Sequence, residues 1–142
     1  MTRIRQIRRG VLPAAVVVAM LAVPSTAAAA NLTLTAPGSI NHNTSYRLMA
    51  SGQVGKRAYV IVVYQHRSCS KNYAANQAAN AKNASGGAII YKKVGPGTYD
   101  AESVKLKGGV KGSVQYCGYL YGARQDLGSK PLARASHKVN FT

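Results

Sequence analysis

The side chains that could do chemistry in this 142-residue chain are few. Only Asp100, Glu102 and Asp126 are carboxylates. Asp100 and Glu102 stand two apart in an alternating stretch, so an extended backbone puts them on one face about 7 Å apart. Two carboxylates at that separation suit glycoside hydrolysis. They lie among lysines with no third acid nearby, and the simpler expectation is a solvated outer sheet face. His42, His66 and His137 are scattered and match no metal-type spacing. His137 falls on the apolar face of the last strand, where a packed, hydrogen-bonded histidine is expected. No G-x-S-x-G, P-loop, H-E-x-x-H or EF-hand pattern occurs. The reading is therefore a non-enzyme with no catalytic residue, no metal site and no cofactor.

Cys69 and Cys117 are the only cysteines. Their meaning depends on compartment, and the N-terminus bears on that. Residues 2–10 carry Arg3, Arg5, Arg8 and Arg9 and no acid, 11–23 are apolar, and 24–30 (PSTAAAA) offer small residues for cleavage. These are the three regions of a secretory signal peptide over 1–30. The apolar run is shorter than the roughly 20 residues of a spanning helix, so no membrane anchor is expected after cleavage. Arg8-Arg9 loosely matches a twin-arginine signal, which leaves the export route open. An even number of cysteines in an exported chain implies one disulfide, Cys69–Cys117. Residues 31–142 then form one secreted domain, extracellular or wall-associated, with fifteen basic residues against three acidic ones, a net charge of +12. That charge favours polyanions: a wall polymer, an acidic glycan or nucleic acid, or else an acidic protein. It also serves plain solubility. Four N-x-S/T sequons, at Asn31, Asn43, Asn83 and Asn140, matter only in a eukaryotic secretory route.

The elements that must position these residues are short strands. Residues 32–35 alternate, as do 46–51, which Gly52 and Gly55 are expected to end. Residues 58–65 (AYVIVVYQ) are β-branched and aromatic on both faces, the pattern of a central, doubly covered strand. Residues 68–83 (SCSKNYAANQAANAKN) are either a short helix or a long irregular connection: alanine favours helix and asparagine does not. Strands follow at 88–94 and, after the turn Gly95-Pro96-Gly97, at 98–106, with a bulge or bend near Ser103. Residues 113–122 (SVQYCGYLYG) concentrate tyrosine and are expected to be a central strand. Residues 133–141 alternate most clearly, with Phe141 as anchor.

About seven short strands at turn-separated spacing, with at most one helix, make an all-β immunoglobulin-like Greek-key sandwich. The third, sixth and seventh strands would share one sheet, and the first, second, fifth and fourth the other. The bridge would lie within one sheet. No tryptophan exists, so the antibody-type Cys–Trp–Cys arrangement is absent. Two surfaces follow. Loops at one end carry Lys56, Arg57, Lys92, Lys93, Arg124 and Lys130, a rim suited to phosphate, sulfate or carboxylate groups. The opposite end also carries cations, Arg67, Lys71, Lys105, Lys107 and Lys111. Tyr119 and Tyr121, with Tyr59 or Tyr64, point away from the core. Either the Ala/Asn-rich segment, held by Cys69, covers them, or they form an aromatic platform for a sugar, a peptide or a partner subunit.

The stretch GTYDAESVKLKGGVKGSVQYCGYLYG, with Cys69 upstream and LARASHKVNF downstream, resembles a largely uncharacterised group of small exported Ig-like domains of bacteria, especially high-GC Gram-positives. The resemblance covers most of residues 32–141 and implies fold and disulfide without a catalytic motif. The Ala/Asn-rich segment and the high positive charge depart from that pattern. The reading is an exported binding module that engages an anionic partner through basic loops. The alternative is a structural or protein-interaction module that uses the tyrosine-rich face.

Overall fold

The computed structural model describes residues 29–65, 68–81 and 87–142. Residues 1–28 of the expected leader, and also His66, Arg67 and Asn83, lie outside the described residues. Among the described residues no helix is long and apolar enough to cross a membrane. The elements are β1 (Asn31–Thr35), β2 (Ser39–Ile40), β3 (Ser45–Tyr46), β4 (Met49–Val54), β5 (Ala58–Gln65), α1 (Tyr73–Ala81), β6 (Ile90–Val94), β7 (Gly97–Glu102), β8 (Leu106–Lys107), β9 (Gly112–Tyr121) and β10 (Ala133–Phe141). The seven that exceed two residues are the seven strands legible in the sequence.

Two sheets face each other. One runs β1-β4-β7; the other runs β2-β10-β9-β5-β6, with β9 in the middle; a β3–β8 ribbon stands apart. This is an all-β, immunoglobulin-like sandwich. One placement differs from expectation. The fourth strand, β6, pairs with β5 in the five-stranded sheet and not with β7. The reason is that β9 occupies only one edge of β5. The other edge of a strand apolar on both faces would otherwise stand open, and β6 closes it with Lys92 and Lys93 towards solvent.

The core lies between the sheets. Val60 and Val62 of β5, Leu120 of β9, Val139 of β10, and Leu48 and Ala50 are at most 0% exposed. Two expectations about where strands end or bend are resolved, one as a correction. Gly52 does not end β4 but sits within it, opposite Leu32 and Tyr99. The Tyr99 hydroxyl crosses there to donate to the Asn31 carbonyl at 2.8 Å, and a Cβ on Gly52 would lie 2.2 Å from that carbonyl oxygen. Only glycine fits. The bend expected near Ser103 is real. Ser103 is buried, its Oγ accepts from the Leu48 amide and donates to the Val104 carbonyl, and the chain leaves the sheet there.

The connection from β5 to β6 contains α1 and packs on the outer face of the five-stranded sheet. Asn72 caps the helix, its Oδ1 accepting from the Ala75 amide at 2.8 Å. Cys69 bridges to Cys117 on β9, with Cα atoms 5.5 Å apart.

Candidate anion-binding face

The outer face of β5 and β9 carries Ile61, Val63, Cys117, Tyr119 and Tyr121, which form a second apolar cluster with Cys69, Tyr73 and Leu127. Tyr119 and Tyr121 are each 1% exposed. Of the two readings of these tyrosines, coverage is the one observed, and they form no aromatic platform. The Tyr119 hydroxyl lies 2.8 Å from the Ser70 carbonyl and 3.0 Å from Asn76 Oδ1. The Tyr121 hydroxyl accepts from the Tyr73 amide and donates to the Leu127 carbonyl. Burial, and then the neighbouring Tyr121, push the Tyr119 hydroxyl up to about 12, against the opposing pull of Arg134. Burial raises Tyr121 as well. Asn72 Nδ2 and the Ala74 amide donate to the Gly128 and Leu127 carbonyls, which sew α1 to the β9–β10 loop. The asparagines that count against a helix by propensity thus hold this one in place: Asn72, Asn76 and Asn80 recur every four residues on its buried face.

This cover leaves a groove along β10. On β10, Arg134 stands opposite Tyr119 and Ser136 opposite Cys117. Arg134 separates two recesses. The larger, about 620 Å³, is lined by Lys71, Asn72, Gly128, Lys130 and residues 131–134. The smaller, about 320 Å³, reaches Ser70, Tyr119 and Ser136. Arg134 Nη1 donates to the Lys71 carbonyl at 3.4 Å, which holds the guanidinium across the groove. Lys71, Lys130 and Arg134 therefore share one concavity, and none of its lining residues is a carboxylate. Cationic donors around one concavity have the chemistry to hold phosphate, sulfate or carboxylate oxygens.

The six-cation rim is only partly assembled. The β4–β5 and β6–β7 turns do meet, since a Cβ on Gly95 (φ +82°) would lie 3.0 Å from the Lys56 carbonyl. Lys56 and Arg57 are exposed on the first turn. Lys93 stands opposite Tyr59 in the β5–β6 register. Arg124 lies over the Tyr91 ring, 5.2 Å from its centroid. Lys92 turns away and donates to the Asp100 carbonyl on the other sheet. Lys130 lies across the face, in the groove. Lys71, expected at the opposite end, is its neighbour there. Arg134 was legible only as an outward residue of the last strand. Pairing that strand with the tyrosine strand puts it beside Tyr119, and this is the signal that finds it. Tyr59 remains half-buried on the outer face, 6.3 Å from Tyr91 between centroids. Tyr64 does not join it: alternation turns it inward, towards a recess shared with Tyr46, Tyr116 and Phe141.

The remaining candidates for chemistry lie elsewhere. Glu102 is paired with Arg47 at 2.5 Å on the exposed face of the smaller sheet. Asp100 is exposed on the same strand, and neither acid lines the recesses above. His42 Nδ1 bonds the Gly109 carbonyl. His137 sits inward on β10, with Nε2 buried and no hydrogen-bond partner among the described residues. The described residues hold no cluster of three or more His, Cys, Asp or Glu.

No family model matches the chain, and no curated protein matches it. Among solved structures it is similar to a CARDB domain of Pyrococcus furiosus, crystallised in complex with di-metal ions, at a TM-score of 0.48 and 10% identity over 80% of this chain and 87% of that one. The solution structure of that domain gives a TM-score of 0.49 at 10% identity, over 80% and 94% of the two chains. An alkylpurine DNA glycosylase of Pseudomonas fluorescens, bound to DNA containing an abasic site analog, gives 0.42 at 11% identity, over 78% of this chain and 29% of that one.

Proposed function

We propose that this protein is a non-enzymatic, exported binding module of the bacterial Ig-like kind that its ending resembles, and that it engages an anionic polymer. The observation that carries this reading is the groove beside β10, where Lys71, Lys130 and Arg134 line one recess without a carboxylate. Each charge alone is an ordinary surface cation. Three around one concavity reinforce one another, because a bound anion meets all of them at once. The recess is open to solvent, which suits a chain passing through better than an enclosed small molecule. A disulfide fits an oxidising compartment, and outside the cell the partner would be a wall polymer or an acidic glycan.

The test is binding of the purified protein to inorganic polyphosphate by calorimetry across a salt series. Affinity should fall steeply and linearly on a log–log plot. A neutral polymer such as dextran should not bind. Absence of polyphosphate binding at low salt, or binding indifferent to salt, overturns the reading.

A further inference from the structure

The geometry points to a second subsite on the same face, built from Tyr59, Tyr91, Lys93 and Arg124, that takes the sugar ring of an acidic glycan. This inference rests on the anionic-polymer reading and narrows it. The register sets the cluster: Tyr59 pairs across β5–β6 with Lys93, and Ile61 with Tyr91. Alternation then puts Tyr59, Tyr91 and Lys93 on the outer side of the sheet. Tyr91 is 42% exposed, so part of its ring is open to solvent. Its ring and that of Tyr59 are 6.3 Å apart and inclined at 36°. Arg124 reaches from the β9–β10 loop to lie over Tyr91. None of the four is a carboxylate, and the same loop runs on to Lys130 in the groove.

Two chemistries meet here. An exposed tyrosine ring offers an apolar face to the C–H face of a pyranose, and Lys93 and Arg124 supply donors for its carboxylate or sulfate. A polyanion without rings uses only the cations. A nucleobase can stack on a single exposed ring face as well. The choice of a sugar rests on the oxidising compartment that the Cys69–Cys117 bridge fits, where the ring-bearing polyanions are acidic glycans. The β9–β10 loop joins both subsites, and a glycan crossing it places rings on the tyrosines and charges in the groove.

The experiment compares three probes of matched charge number on the purified protein: polygalacturonate oligomers, polyphosphate and an oligothymidylate. Tyr91→Ala should weaken polygalacturonate about fivefold and leave polyphosphate within about twofold. Tyr91→Phe, which keeps the ring, should leave both unchanged and controls for folding of the edge strand. Arg134→Gln should weaken all three. Equal loss of polygalacturonate and polyphosphate on Tyr91→Ala, or no loss of either, overturns the sugar subsite while the groove stands. Tighter, Tyr91-dependent binding of oligothymidylate also overturns it, in favour of a base. If polyphosphate itself does not bind, the groove reading fails first.

Discussion

Replacing Cys69 and Cys117 together by alanine removes the covalent tie between the helical cover and the sheet. The bridge spans 48 residues. In the chain-entropy account, closing a loop of that length restricts the unfolded chain by about 4 kcal/mol. At about 2.1 cal/mol/K per residue, a domain of roughly 110 residues unfolds with an entropy near 230 cal/mol/K, so the melting temperature should fall by about 17 °C. The loss also has a local face. Cys69 precedes Ser70 and Tyr73, which meet the hydroxyls of Tyr119 and Tyr121. With the tie gone, only non-covalent contacts hold the cover down: these hydrogen bonds, those of Asn72 and Ala74 to the β9–β10 loop, and the apolar cluster beneath. Circular dichroism melts measure the first effect. Acrylamide quenching of tyrosine fluorescence measures the second, in a chain with nine tyrosines and no tryptophan. The variant should retain its β-sheet spectrum at 25 °C, melt about 17 °C lower, and show more quenchable tyrosine before it melts. A fall of less than about 5 °C with unchanged quenching would refute the reasoning. It would mean that the asparagine and tyrosine hydrogen bonds fix the cover without the bridge.

Gly52→Ala should cost about 2 kcal/mol or more, because the new Cβ meets the Asn31 carbonyl and the Tyr99 hydroxyl where β1 joins the sheet; urea denaturation reads the loss, and a near-neutral result would contradict the crossing geometry. Asn72→Ala should cost about 1 kcal/mol for the cap and more for the lost Gly128 contact, again by urea midpoint, with a loss of α1 signal in the far-ultraviolet. Alkaline pH should destabilise the fold. Burial pushes Tyr99 and Tyr119 from the ordinary 10.0 up to about 12, so the folded state holds protons that the unfolded state releases. Their contribution is full below pH 10 and is lost as pH rises through about 12. The denaturation midpoint should fall across that window, and a flat profile would contradict the burial of these hydroxyls.

Most of the fold was legible because short strands announce themselves by alternation and by turn residues. Residues 133–141 and 58–65 read correctly for that reason, and the two-faced apolarity of the latter foretold that something would cover its outer side. Sheet membership was harder. The sequence of β6 is equally compatible with pairing to β5 or to the opposite sheet, and only the open edge of β5 decides it. Gly52 misled because a glycine that permits close approach looks the same in sequence as one that ends a strand. The helix was ambiguous because propensity counts asparagine against it, whereas the four-residue spacing of Asn72, Asn76 and Asn80 marks a face whose amides bond the sheet and loop. The groove was the least legible feature. It joins Lys71 from the cover, Lys130 from a loop and Arg134 from a strand. That convergence depends on where the cover lies, which no local pattern encodes.

The central claim is that these three cations act as one anion site. The most direct measurement is the salt dependence of polyphosphate binding for the natural protein and for the variant carrying Lys71→Gln, Lys130→Gln and Arg134→Gln. Three neutralised contacts should lower the magnitude of the log–log slope by about 2, at the roughly 0.7 per charge of a single-stranded polyanion, and weaken binding at low salt. An unchanged slope and affinity in a variant that melts like the natural protein would contradict the claim and leave the charge as a general surface property.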